Sequence, residues 1–340
     1  MPENRTWKWI MSAIKHYFVQ TNGIRMHVAE QGAGPLILLV HGFPESWYSW
    51  KSQMAALAAA GYRAVAMDQR GYGQTDRPEA IEAYNIFQLA GDLVGLVKAL
   101  GEEQSIIVGH DWGSLVAWHA AQLRPDIFRA VTLMSVPFFV WRDMSEKPPT
   151  QTMSCLGSDD EIFYQLHFQE PGVAEAILEA DLQKSLQRSF YGISGKASPE
   201  ERYGSIFISK NMAEDVNEGD IPAMDWLSKE ALTFYVKEFE KSGFRGPLNW
   251  YRNIDFNWEN TGFLSSSKLQ QSTLFIAGDV DPVLQMYPGA YESLEERVPN
   301  LWKKVLLPNI GHWVQQEAAE DVNMLLLEFL EGQDIYVELP

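Results

Sequence analysis

The sequence predicts an α/β protein, a mostly parallel sheet flanked by helices on both faces with a helical segment inserted late in the chain. Three observations predict it. Short continuous apolar runs recur along the chain, as in Leu36, Ile37, Leu38, Leu39 and Val40, the pattern of strands buried on both faces. Helical stripes alternate with these runs, as parallel strands require. Between residues 138 and 262 the alternation stops and only helical periodicity remains.

Each element follows from its local pattern. Residues 24–30 alternate as an edge-like strand, and residues 35–40, 62–67, 105–108, 130–134 and 272–277 are buried apolar runs. Residues 302–307 form the last strand. Residues 86–100 place Leu89, Leu93, Leu96, Val97 and Leu100 on one helical stripe. In the insertion, Leu178, Leu182, Leu186 and Phe190 repeat every four residues, and Leu232, Tyr235, Val236 and Phe239 form a second stripe that Gly243 is placed to stop. Residues 147–150 read as a plain loop. The expected organisation is a core of residues 17–137 and 263–340, a helical cap of residues 138–262 and an N-terminal extension of residues 1–16. A cap inserted there lies over the carboxyl ends of the strands, where open α/β sheets bind ligands.

Composition narrows the function classes. A chain of 340 residues can bury a large core, and 46% hydrophobic content marks it as globular rather than disordered. The net charge of −18 argues against nucleic acid and anionic membrane surfaces as partners. One cysteine, Cys155, excludes an intramolecular disulfide and the usual multi-cysteine zinc sites, and no metal or cofactor is expected. No apolar run reaches the about 18 residues of a spanning helix. Residues 7–11 lack the core of a signal peptide and residues 338–340 match no address, so a soluble, cytoplasmic protein is expected.

The chemistry concentrates in Gly109-His110-Asp111-Trp112-Gly113, where the strand of residues 105–108 turns into a helix. Such a turn is the nucleophile elbow of α/β-hydrolases, whose centre is usually Ser. Here it is Asp111. A carboxylate can attack an electrophilic carbon and form an ester that water later hydrolyses. The motif alone is weak, because Asp also caps helix starts, and the surrounding motifs carry the nucleophilic reading.

An ester intermediate needs a base to activate water, and His suits that near neutral pH. Of seven histidines, His312 lies after the last strand, in Pro308-Asn309-Ile310-Gly311-His312-Trp313, and before a helical stretch. His110 and His41 read as structural hydrogen-bonding groups lining the site, while His16, His27, His119 and His167 show no partner signal. In this fold the chain order is nucleophile, acid, His. Asp279 and Asp281 compete for the acid, in Gly278-Asp279-Val280-Asp281-Pro282; Asp281 matches the usual position, and the other is then a turn cap. After the strand of residues 35–40, His41-Gly42-Phe43-Pro44 places the Phe43 N–H to pair with that of Trp112 as an oxyanion hole. His41, Pro44, Trp112 and Trp313 flank these groups and are expected to contact substrate.

His41-Gly42-Phe43-Pro44-Glu45, Asp68-Gln69-Arg70-Gly71-Tyr72-Gly73, the Asp111 elbow and Gly311-His312-Trp313 together resemble the soluble epoxide hydrolases. The insertion shares the resemblance through Phe163-Tyr164-Gln165, the segment 168–175 and Leu248-Asn249-Trp250-Tyr251-Arg252-Asn253. It spans residues 17–332 and is strongest toward the hydrolase domain of the mammalian enzymes. It implies two lid tyrosines, Tyr164 and Tyr251, that hydrogen-bond the epoxide oxygen and protonate it. Two departures stand out: the mammalian enzymes carry an N-terminal phosphatase domain with no counterpart before residue 17, and Gly278-Asp279-Val280-Asp281 replaces their Glu-Lys-Asp.

The expected function is hydrolysis of a small epoxide by water to a vicinal diol, through an ester on Asp111. The alternative is a haloalkane or haloacid dehalogenase, which uses the same ester but needs no tyrosine pair. A non-catalytic ligand receptor is disfavoured by the intact Asp, Asp and His. Phe138, Phe139, Phe163, Phe168, Phe190, Met212 and Trp226 in the insertion favour an apolar or aryl substrate.

Overall fold

Leu36–Val40 shows why the sheet forms where it does: all five residues are buried, yet they serve two different cores. Leu36, Leu38 and Val40 pack with Leu93, Leu115 and Val116 on one face. Ile37 and Leu39 pack with Met54, Leu57 and Leu326 on the other. Side chains alternate across a strand, so a strand covered by helices on both sides must be apolar throughout.

In the computed structural model, which describes residues 13–209, 221–287 and 289–333, ten strands are present: β1 (Lys15–Thr21), β2 (Ile24–Gly32), β3 (Leu36–Val40), β4 (Arg63–Met67), β5 (Ser105–His110), β6 (Phe128–Met134), β7 (Glu161–Phe163), β8 (Phe207–Ser209), β9 (Ser272–Gly278) and β10 (Leu301–Leu307). Eight build one sheet in the order β1-β2-β4-β3-β5-β6-β9-β10, parallel from β4 to β10 and antiparallel at β1 and β2. Helices Ile86–Ala99 and Trp112–Leu123 cover one face, and Lys51–Ala59 and Ala319–Glu331 cover the other. The strand ends after β3, β5, β9 and β10 carry His41, Asp111, Asp281 and His312 to one edge of the sheet.

Between β6 and β9 the described residues add no strand to this sheet. They form short helices and the antiparallel ribbon of β7 with β8. The segment is tied to the core largely through main-chain groups. Trp250 Nε1 donates to the Arg70 carbonyl (3.1 Å), Asn253 Nδ2 to the Ile81 carbonyl (2.7 Å) and the His312 N–H to the Ile193 carbonyl (2.9 Å).

Three local expectations change. The strand at 24–30 is not at the edge, because β1 pairs outside it. The stripe from Leu178 to Phe190 is two helices, Val173–Leu178 and Leu182–Gly192, since Asp181 caps the second by accepting from the Lys184 N–H. Residues 147–150 run into a short helix, Pro149–Met153, opened by a proline at its first position. Most of the N-terminal extension, together with Met212, lies outside the described residues. Among the described residues no helix is long and apolar enough to cross a membrane.

Gly109 and Gly113 hold the strand-to-helix turn close. A Cβ on Gly109 would overlap the Gly113 carbonyl, and one on Gly113 would overlap the Val40 carbonyl of the neighbouring strand. Neither obstacle is a flexible side chain that could swing aside. Replacing Gly113 with Ala is therefore expected to destabilise the fold by about 1–3 kcal/mol and lower the melting temperature by roughly 2–10 °C. A calorimetric scan that finds the variant melting with the parent would refute this close approach.

Candidate active site

Asp111 sits at the elbow with φ 53° and ψ −123°, a left-handed conformation that non-glycine residues seldom adopt. The strain turns its carboxylate out of the helix it precedes. The side chain makes no cap bond to that helix, which removes the capping explanation. Oδ1 instead accepts the Phe43 N–H at 2.8 Å, and Oδ2 lies 3.5 Å from His312 Nε2. Trp112 is the first residue of helix Trp112–Leu123, so its N–H is one of those a helix leaves without an internal partner.

His312 is nearly fully buried between two carboxylates. Its Nδ1 faces both oxygens of Asp281 at 3.2 and 3.1 Å. Burial alone would lower the imidazole pKa, but Asp281 and Asp111 overrule it and push it up to about 10. Burial would likewise raise Asp111, yet His312, His110 and the Phe43 N–H hold its carboxyl below the ordinary carboxylate value. The resting site is thus an imidazolium between two carboxylates. Asp281 is also locked by its own helix, accepting the Val283 N–H at 2.9 Å. Asp279 is turned away and accepts the Asn309 N–H at 2.7 Å, closing the loop beside the site.

A cavity of about 170 Å³ opens over these groups, walled by Asp111, His312, Tyr164, Tyr251, Phe43 and Trp313 among others. Pro44, Phe168 and His167 also line it; nothing local in the sequence marks His167. The rings of Tyr164 and Tyr251 lie 5.9 Å apart. Burial raises both phenols well above their ordinary pKa, and the Asp111 charge adds to this, so both keep their protons. Tyr164 opens the short helix Tyr164–His167, and Tyr251 closes the helix Arg245–Tyr251. A larger cavity of about 780 Å³ lies beyond the Tyr164 segment, walled by Phe139, Trp141, Phe163, Gln165 and Tyr287 among others. Phe138 and Phe190 are instead fully buried in the core.

Two residues expected at the substrate are elsewhere. His41 is fully buried and does not line the cavity: its Nδ1 bonds the Gly42 carbonyl at 2.8 Å and its Nε2 accepts the Gln69 N–H at 3.1 Å. Both ring nitrogens are committed to backbone, which makes it a strut of the loop. The Trp112 ring is also outside the cavity lining, packed edge-on against Tyr251 at 5.1 Å and Trp250 at 5.8 Å.

Residues 35–151 match the alpha/beta hydrolase fold family. Epoxide hydrolase A of Mycobacterium tuberculosis is 42% identical over 96% of this chain and 100% of its own length. The chain belongs to the epoxide hydrolase family. Bifunctional epoxide hydrolase 2 of Sus scrofa is 37% identical over 94% of this chain and 56% of its own length. Among solved structures, an epoxide hydrolase from an endophytic Streptomyces superposes with a TM-score of 0.88 at 43% identity, covering 94% of this chain and 96% of its own. Epoxide Hydrolase A from Mycobacterium thermoresistibile gives 0.86 at 42%, covering 94% and 99%.

Within this epoxide hydrolase several supporting groups have no local sequence signal. Glu45 is fully buried; its Oε2 bonds His110 Nδ1 at 2.9 Å, and His110 Nε2 in turn donates to the His312 carbonyl at 2.8 Å. Ser135 Oγ donates to that same carbonyl at 2.7 Å. Glu317 accepts the N–H groups of Gly195, Gly311 and Trp313, binding the His312 loop to the inserted segment. Sequence separations of 65 to 202 residues hide the first two links from any local motif.

The raised value of His312 has a testable sign. Protonated His312 stabilises the fold fully below the ordinary value of 6.5, and that contribution is gone once the pH passes about 10. Replacing Asp111 with Ala removes two of the raising influences and leaves Asp281. NMR titration of the His312 imidazole in that variant is expected to give a pKa clearly below the parent's. An unchanged value would mean that Asp281 alone sets it.

Proposed function

We propose that this epoxide hydrolase works through a covalent ester on Asp111, hydrolysed by water that His312 activates. The observation that carries the reading is the division of labour between the two oxygens of Asp111. Oδ1 already occupies an oxyanion-type site at the Phe43 N–H, and Oδ2 faces His312 and the cavity. Oδ2 is then the nucleophile, and Oδ1 becomes the carbonyl oxygen of the ester.

In the first step Oδ2 attacks an epoxide carbon, the ring C–O bond breaks, and its electron pair goes to the ring oxygen. Tyr164 and Tyr251 hydrogen-bond that oxygen, and one of them gives it a proton; the tyrosinate left behind is reprotonated by the proton that His312 releases once Asp111 is esterified. In the second step His312 takes a proton from water, whose oxygen attacks the ester carbonyl carbon. The negative charge on Oδ1 is held by the N–H groups of Phe43 and Trp112. Collapse breaks the bond between the carbonyl carbon and the ester oxygen. The alkoxide released takes the proton of the newly formed carboxyl group, leaving the diol, whose second hydroxyl oxygen comes from Asp111, and an ionised Asp111 beside protonated His312.

The electrostatics order these steps. While Asp111 is charged, His312 holds its proton and is no base. Esterification cancels that charge, so the imidazole pKa falls and His312 can accept a proton from water only when an ester is present. Asp281 orients the ring and stabilises the imidazolium that forms.

The substrate we propose is an apolar or aryl epoxide, since Phe43, Phe168, Val283 and Met286 dominate the cavity wall around the polar groups. The helical segment of residues 138–262 acts as the cap, carrying both tyrosines and excluding bulk water. Dehalogenation would use the same ester, but a halide leaving group needs no proton, and two buried phenols beside Asp111 would then have no task.

Replacing His312 with Gln is expected to stop the second step, so that after mixing with styrene oxide the protein gains the mass of one substrate on the peptide containing Asp111. An unmodified protein that still binds substrate would contradict the ester. A single turnover in ¹⁸O-water, with enzyme in excess, separates this route from direct attack of water on the epoxide. The covalent route leaves the first diol unlabelled and puts the solvent oxygen on Asp111. Labelled diol from the first turnover would eliminate it.

A further inference from the structure

We propose that Gln165 is a positioning residue for the proton-donating phenol of Tyr164: it occupies the acceptor side of the hydroxyl and so leaves the O–H for the epoxide oxygen. The inference rests on the reading that Tyr164 protonates the opening ring, and deepens it.

The geometry that points there is a short chain of contacts. Gln165 Nε2 donates to the Tyr164 hydroxyl oxygen at 2.8 Å. Gln165 is buried, only 4% exposed. Adjacent residues on a helix ordinarily point apart; here the turn at Tyr164, the first residue of its helix, lets Gln165 reach back to the preceding phenol. The Gln165 side chain also hydrogen-bonds Tyr287, which lines the larger cavity with it. The backbone is fixed as well. Gln169 Nε2 donates to the Gln165 carbonyl at 2.8 Å and to the Tyr251 carbonyl at 3.0 Å, so one amide joins the two segments that carry the tyrosines.

A phenol has one proton to give and two lone pairs to fill. An N–H on the oxygen restricts which way the O–H can point, and Asp111 and His312 line the same cavity as Tyr164. The same N–H strengthens as the phenol gives up its proton, because the oxygen gains charge while the amide stays put. Burial and the charges of Tyr287 and Asp111 push the Tyr164 phenol upward, and Gln165 acts against them. The Trp112 side chain is the hydrogen-bond partner of the Tyr251 phenol, whereas the Tyr164 phenol has both Gln165 and Tyr251 acting to lower it. The two lid phenols are therefore not equivalent, and Tyr164, with two partners on its oxygen, is the one prepared to lose its proton.

The test is a double-mutant cycle read in single turnovers, with ester formation and ester hydrolysis timed separately by quenched mass spectrometry. Gln165→Met is expected to slow ester formation roughly 10- to 100-fold and to leave ester hydrolysis unchanged. In a Tyr164→Phe background the same substitution should have no further effect, because the hydroxyl it serves is gone. Equal losses in both backgrounds, a loss confined to hydrolysis, or unchanged ester formation would each overturn the proposal. If Tyr164→Phe alone forms ester at the parent rate, it is the proton-donor reading that fails. Gln165→Glu supplies a second variant of the same shape, whose carboxyl can donate only while protonated. Its rate of ester formation should fall as the pH rises through that titration, whereas a purely structural role would give the parent's pH profile.

Discussion

The backbone of Asp111 is the constraint on which the rest depends. At φ 53° and ψ −123° the residue pays no attention to the helix that follows it and projects into the site. That conformation persists only because its surroundings over-determine it. The two flanking glycines allow strand and helix to approach, the Phe43 N–H grips one carboxylate oxygen, and the neighbouring loop supplies the imidazolium that balances the charge. Each group is meaningful only relative to that carboxylate. With Asp281 it raises the His312 imidazole, and beside burial it helps keep the phenols neutral.

A consequence is that the two groups shift each other in opposite directions: Asp111, with Asp281, raises the imidazole to about 10, and His312 holds the Asp111 carboxyl below its ordinary value. Glu45, through His110, and Ser135 act on the main chain of His312 rather than its ring, by way of its carbonyl, and so fix where the imidazole stands.

How much of this was legible in the sequence depends on the length scale of each feature. The buried strands read as apolar runs because both faces of β3, β5 and β9 are covered, and the elbow read as small-x-acid-x-small because steric closeness demands it. Position favoured Asp281 over Asp279; three-dimensional placement separates them, Asp281 against the imidazole and Asp279 tying off a turn. β7 and β8 have three residues each, too few for any period to register. The stripe ending at Phe190 concealed a break because the residues between its two helices keep the spacing while Asp181 restarts the hydrogen bonding. His41 was misplaced because a histidine beside a strand end looks the same in sequence whether it faces the ligand or the loop behind it. Gln165 and Gln169 fell inside the motifs of the resemblance without a task of their own, because an amide's role depends on which oxygen it happens to meet.

The anchors that hold the inserted segment over the sheet end mostly on main-chain carbonyls, those of Arg70, Ile81 and Ile193. Every amino acid offers a carbonyl, so these attachments survive changes of side chain at the receiving positions. The position of the inserted segment at these points thus does not depend on which side chain the accepting residue carries. Meanwhile the walls of the cavities are built from side chains such as Ile177, Leu178, Ile206 and Met286, which bear none of that attachment. Divergence can then recarve the chamber while the tyrosines keep their station above the carboxylate. The architecture separates what is recognised from what is done to it, and this is the property that lets one scaffold explore new substrates without relearning its chemistry.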